Sequence, residues 1–202
     1  MTIKVLGISG SPNRHGNTET LLDYFLDGAE SAGGVCDKVI LKKLRHQSCT
    51  GCNKCHKTGI CVLRDDFTPL FEEITETDIL ALASPIYSMG ITAELKALID
   101  RGQYLWARKF ILKNLYHDYD FIKRHKGLFL STAGQDWDYV FDGAYPVVTA
   151  FFNDCGFEYY DNIIANNMDR YGGIHGHPDA LDKAYEKGEE VVRNLEKILS
   201  GE

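Results

Sequence analysis

Ile3-Lys4-Val5-Leu6-Gly7-Ile8-Ser9-Gly10-Ser11-Pro12-Asn13-Arg14-His15-Gly16-Asn17-Thr18-Glu19-Thr20 joins an apolar run to a polar, glycine-bearing loop that opens a helix. The run 3–8 reads as a short buried strand that stops at Ser9-Gly10-Ser11-Pro12. Helical spacing follows, with Leu21, Leu22, Phe25, Leu26 and Ala29 on one face and Gly33-Gly34 as its stop. Hydroxyls and unpaired amides at the start of a helix meet the positive end of its dipole, so the loop 9–20 suits a phosphate monoester. Two other phosphate loops do not match. The nucleotide-triphosphate loop needs Lys after its last glycine, where Gly16 is followed by Asn17, and the three glycines of the dinucleotide fingerprint are absent. The plainer alternative is that Asn17 or Thr18 caps the helix.

Outward from this stretch, strand and helix patterns alternate to the end of the chain, as in α/β proteins with a parallel sheet. Further strands are expected at 35–41, 79–83, 127–131 and 159–165, with helices at 69–75, from Thr92 onward, at 140–153 and at 180–199. Residues 104–126 mix aromatic and basic side chains and read as an insertion. The basic run Lys123-Arg124-His125-Lys126 reads as a solvated face, and His15, His175 and His177 as solvated or structural. The chain has 202 residues, 44% hydrophobic and 25% charged, which fits one domain spanning 1–202. A net charge of -7 argues against a phosphate-neutralising nucleic-acid surface. The N-terminus lacks the apolar core of a secretory signal, and no apolar run approaches the roughly 20 residues of a membrane span, so a cytoplasmic location without membrane contact is expected.

Four of the six cysteines, Cys49, Cys52, Cys55 and Cys61, fall inside the segment 45–65. They are too crowded for a sensible disulfide framework, and in a reducing compartment metal or redox chemistry is the better reading. Three ligands at equal short gaps resemble the bacterial ferredoxin run, and Gly59 gives the longer gap to Cys61 a turn by which the loop can close on its own centre. Zinc sites usually split four cysteines into two separated pairs. Cluster, zinc and metal-free thiols all remain open on spacing alone, as does a further ligand from His46 or His56. Cys36 and Cys155 read as small buried hydrophobes.

The loop Gly10-Ser11-Pro12 to Gly16-Asn17-Thr18, followed by Ser84-Pro85-Ile86-Tyr87-Ser88-Met89-Gly90 at the end of the third strand, resembles the NADPH-dependent FMN reductase and flavodoxin-like superfamily. The cysteine segment between them resembles its iron–sulfur flavoprotein branch. This resemblance implies a flavodoxin-like, doubly wound, five-stranded parallel sheet of order 2-1-3-4-5 with helices on both faces. It assigns Ser9, Ser11, Asn17 and Thr18 to the FMN phosphate, and Pro85, Ile86, Tyr87, Ser88, Met89 and Gly90 to the isoalloxazine ring through backbone amides. Thr132 and Gly134, in the loop after the fourth strand, would complete the pocket. Cys49, Cys52, Cys55 and Cys61 would hold a [4Fe-4S] cluster. No side chain need act as acid, base or nucleophile, because FMN carries the redox chemistry. The expected donor is NAD(P)H or a ferredoxin-like carrier, the acceptor such a carrier or a small-molecule oxidant, and the assembly a homodimer or homotetramer with the aromatic stretch 104–121 as an interface. Related FMN reductases carry a similar cysteine segment followed by Asp-Asp, as Asp65-Asp66 here, without a cluster. A cluster-free NAD(P)H-dependent FMN or quinone reductase is therefore the main alternative, and a non-catalytic flavin- or metal-sensing module a second.

Overall fold

A computed structural model describes residues 2–201. In chain order its elements are β1 (Lys4–Ser9), α1 (Asn17–Ser31), β2 (Val35–Ile40), the single turn α2 (Cys55–Thr58), α3 (Phe67–Thr75), β3 (Ile79–Pro85), α4 (Ala93–Arg101) and α5 (Gln103–Trp106). A π-turn, Ala107–Ile111, leads to α6 (Tyr119–Arg124), β4 (Lys126–Thr132), α7 (Tyr145–Cys155), β5 (Glu158–Ala165), the short α8 (Met168–Tyr171) and α9 (Ala180–Ser200). All neighbouring strands pair in parallel in the order β2-β1-β3-β4-β5, the flavodoxin-like arrangement expected. The strand order reverses between β1 and β3, which opens a crevice at their carboxyl ends.

The pleat explains the two layers. Along β1, Val5 points to one face and Leu6 to the other. Val5 joins Leu22, Phe25, Val191 and Val192 under α1 and α9, whereas Leu6 joins Phe67, Phe71, Leu98 and Phe152 under α3, α4 and α7. Strand β4 is buried along its whole length, and the central strand β3 everywhere except at its last residue, Pro85. That is why their sequences are continuously apolar rather than alternating. Helices α1 and α9 cross closely because glycines meet there: a Cβ on Gly28 would overlap the carbonyl oxygen of Tyr185, and one on Gly188 that of Phe25.

Three expectations are corrected. The helix expected at 140–153 begins only at Tyr145, because Pro146 lacks an N–H and is tolerated only in a first turn. Residues 137–144 form turns instead, and Val140 and Phe141 pack with Ile86 and Met89. Lys126 belongs to β4 rather than to the insertion, and it is buried in an ion pair with Glu158. Its neighbour His125 lies stacked 3.9 Å from Phe121 and edge-on to Phe157, so the basic run is not a solvated face throughout. Among the described residues no helix is long and apolar enough to cross a membrane.

Candidate functional site

The first loop is pulled tight against the rest of the crevice. Gly10 donates its N–H to the carbonyl of Ala83 at 2.8 Å, and its own carbonyl accepts the Thr92 hydroxyl at 2.7 Å. A Cβ at Gly10 would lie 2.7 Å from that of Leu95, so only glycine lets the loop approach α4 this closely. Ser11 organises the turn, its hydroxyl accepting the amide of Asn13 and donating to the Asn13 carbonyl, both at 3.2 Å. His15 adopts a left-handed conformation, φ +54°, and gives its amide to the Glu19 carboxylate at 2.9 Å. Burial raises the Glu19 carboxyl, but the bonds from His15 and Lys38 outweigh it and hold its pKa below the ordinary value.

Neither Asn17 nor Thr18 caps α1, which corrects the plainer alternative. The cap is Gly16, without a side-chain bond, and the amides of Asn17, Thr18 and Glu19 meet no acceptor among the described residues. Asn17 instead accepts the amide of Ile174 through Oδ1 at 3.0 Å, and the hydroxyl of Thr18 pairs with that of Thr132 at 2.6 Å. Ser9, Ser11 and Thr18 are buried, and their hydroxyls already have protein partners. What the loop offers an anion is therefore chiefly first-turn amides and the helix dipole, which fits a phosphate monoester.

The second loop is a tight hairpin. Tyr87 and Gly90 exchange both backbone hydrogen bonds, at 2.9 and 3.0 Å, around Ser88 at φ +49° and Met89 at φ +66°. Two non-glycine residues with positive φ at the centre of a type I′ turn are a stored cost, of order 1 kcal/mol or more each. Pro85 has no N–H, Ile86 donates to Thr132, and Tyr87 and Gly90 bond each other. Of the six residues assigned to the ring, only Ser88 and Met89 thus keep amides without an acceptor among the described residues. Tyr87 is 47% exposed, and its hydroxyl accepts a bond from Asn13 at 3.4 Å, which links the two loops.

The third loop closes behind them. Thr132 faces Thr18, and Gly134 sits against Asp169, where a Cβ would come within 2.7 Å of a carboxylate oxygen. Gly143 was not foreseen: a Cβ there would overlap the carbonyl oxygen of Met89. Trp137 and Tyr139, stacked at 5.9 Å and exposed, lie in the same turn segment. Nothing local in the sequence marks these positions, since their roles come from contact with a hairpin distant along the chain.

Cys49, Cys52, Cys55 and Cys61 line one pocket, bounded on its inner side by Arg101 and Tyr104. All four are free thiols. Gly59, at φ +71°, turns the chain after α2 so that Cys61 faces the others. Burial first, and then the neighbouring thiols, raise the pKa of Cys55. That of Cys52 is lowered, with the Lys54 backbone bond the largest cause. Among the described residues no group of three or more His, Cys, Asp or Glu side chains is arranged to hold a single metal ion. The donor set still fits an iron–sulfur centre, with four soft thiols round one pocket and a buried cation to offset their charge. Arg101 is that cation. It is 2% exposed and donates to Asp65 at 2.6 Å, Gln47 at 2.9 Å and Leu63, while its Nε meets no acceptor.

A switch-point crevice bounded by a phosphate-type loop and a strained hairpin defines a flavodoxin-like α/β protein. The chain belongs to the NADPH-dependent FMN reductase family, whose model matches residues 3–136. It is 40% identical over 99 residues to an iron–sulfur flavoprotein of Archaeoglobus fulgidus, covering 49% of this chain and 45% of that one. With an iron–sulfur flavoprotein of Methanosarcina thermophila it shares 34% over 112 residues, 55% and 59% of the two chains. The matched stretches span about half the length of these relatives. Among solved structures, a flavone reductase matches at a TM-score of 0.70 and 19% identity, over 99% of this chain and 65% of that one. An FMN-dependent NADH-azoreductase of Bacillus anthracis, solved with FMN, matches at 0.63 and 16%, over 96% and 99%. At these identities the structural likeness concerns the fold.

Proposed function

We propose that the chain is a flavin-dependent oxidoreductase that binds FMN in the crevice between β1 and β3 and a [4Fe-4S] cluster in the cysteine pocket. The observation that carries this reading is the placement of α4, which runs from one site to the other. Its N-cap Thr92 holds the phosphate-type loop through Gly10, and its last residue, Arg101, lines the cysteine pocket. At 1.5 Å per residue the two ends of α4 are about 13 Å apart.

The first-turn amides of α1 would hold the FMN phosphate, with Asn17 and Thr18 fixing α1 against the loop at 174 and against β4. The amides of Ser88 and Met89 would face the ring, and Tyr87 and Thr132 would border it, with Gly134 behind. FMN supplies hydride and single-electron transfer; a cluster supplies single-electron transfer. This chain's residues bind, orient and screen those groups, and no side chain is assigned as acid, base or nucleophile. The donor would be NAD(P)H or a ferredoxin-like carrier, and the acceptor such a carrier or a small-molecule oxidant. We read 1–202 as one domain in the cytoplasm that forms a homodimer or homotetramer, with the aromatic insertion at an interface. Phe110, Ile111, Tyr116 and Tyr119, all exposed, support that face.

A second reading is a cluster-free NAD(P)H-dependent reductase with redox-active thiols. The exposed Cys52, whose pKa is lowered, favours it. Iron and acid-labile sulfide, measured on anaerobically purified protein beside a Cys52→Ala variant, separate the two. The first reading expects both elements with FMN in the parent, and FMN without iron in the variant. FMN with neither element in the parent retires the cluster in favour of the second reading.

A further inference from the structure

Arg101 ends α4, where a cation ordinarily serves the helix dipole from a solvated position. Here it is buried, and its partners are spread along the cysteine segment: the carbonyls of Gln47 and Leu63 and the carboxylate of Asp65. Asp65 in turn accepts the amides of Gln47 and Phe67. The guanidinium lies 5.7 Å from the centre of the Phe67 ring. The pair is also oriented. Arg101 lines the pocket of the four thiols while Asp65 does not. Nε is left without an acceptor, while the other two guanidinium nitrogens are each bonded, in a side chain closed to water. A group needed only to clamp the loop would gain nothing from burying an unpaired donor, since that costs free energy.

We propose that the Arg101–Asp65 pair is a fixed dipole, its positive end toward the cysteine pocket, that raises the reduction potential of the centre held there. The inference rests on the reading that Cys49, Cys52, Cys55 and Cys61 hold a cluster. Reduction adds an electron to a site already ringed by thiolates, and a buried cation at its wall stabilises the added charge more than an exposed one could. Asp65 moderates that effect from the far side of the guanidinium. Removing either partner loosens the same loop, yet the two removals alter the field in opposite senses.

The test is a dithionite redox titration of the cluster-loaded protein, followed by the electron paramagnetic resonance of the reduced cluster, on Arg101→Gln, Arg101→Lys and Asp65→Asn. FMN bleaching serves as an internal reference. Arg101→Gln should lower the cluster's potential by about tenfold in the one-electron equilibrium, or about 59 mV. Asp65→Asn should raise it, Arg101→Lys should stay near the parent, and the FMN potential should not move. Should Arg101→Gln fail to load iron, Asp65→Asn decides alone: an upward shift supports the dipole, and a downward shift or none overturns it. Shifts of one sign for both charge removals, or none, overturn the dipole while leaving the cluster reading intact. A parent protein without iron and sulfide overturns the cluster reading and the inference with it.

Discussion

Gly143 lies so close to Met89 that a single added methyl at position 143 would come within 2.2 Å of the Met89 carbonyl oxygen. The turns 137–144 thus serve as the backstop of the 87–90 hairpin, whose positive φ angles at Ser88 and Met89 persist only under outside support. Gly143→Ala should displace the hairpin and with it the two free amides assigned to the flavin ring. The expected result is FMN affinity reduced about tenfold, or about 1.4 kcal/mol, in a protein that still folds. Isothermal titration of the apoprotein with FMN reads this directly, and unchanged affinity would remove the hairpin from the flavin site.

The crossing of α1 and α9 makes a prediction of opposite character. In an ordinary helix interior Gly→Ala stabilises by up to about 1 kcal/mol. At Gly188 the methyl would overlap the Phe25 carbonyl, and overpacking of this kind costs about 1–3 kcal/mol. Sterics should therefore win over propensity, and Gly188→Ala should lower stability in urea by about 2 kcal/mol. FMN bound per folded molecule should stay constant, because neither helix face at the crossing reaches the crevice. A stabilised variant would show that the helices can separate at no cost.

Asp154 gives the pH dependence a sign. Burial raises its carboxyl from 3.8 to about 6 despite the opposing pull of Lys109, whose ammonium bonds the Asn153 carbonyl at the end of α7. The folded pKa lies above the unfolded one, so the folded state holds the extra proton. The stability this brings is fully present below pH 3.8 and is lost as pH rises through 6. Asparagine mimics the protonated form. Asp154→Asn should match the parent near pH 4 and exceed it at pH 8 by about 1 kcal/mol, a figure reduced for the solvent that reaches this half-buried group. In a chain of this size that is about 2–4 °C in melting temperature. Equal melting temperatures at pH 8 would mean that Asp154 ionises freely in the folded protein.

Much of this architecture is written locally. The run 3–8, the loop after it and the 21–29 helix face sit together in sequence, and the structure keeps them together as β1, the phosphate-type loop and α1. The cysteines likewise declare a common pocket through spacing alone. What sequence reading missed depends on contacts between distant segments. The apolar residues Val140, Phe141 and Val148 mimic one helix face, and only Pro146 signals that the helix starts later. Arg101 looks like an ordinary helix-terminal cation until Asp65 folds over it, and Lys126 looks solvated until Glu158 pairs with it from the next strand. Gly143 carries no mark of its function, because its neighbour is a carbonyl more than fifty positions away.

The proposed pair of centres, FMN and a cluster, would accept electrons in a particular number. The most direct test is an anaerobic dithionite titration of protein purified without oxygen, with flavin absorbance and the magnetic resonance of reduced iron–sulfur followed together. Uptake of about three electrons per chain is expected, two in the flavin bands and one in the cluster signal. Uptake of two electrons, all of it in flavin bleaching and with no iron–sulfur signal, would contradict it.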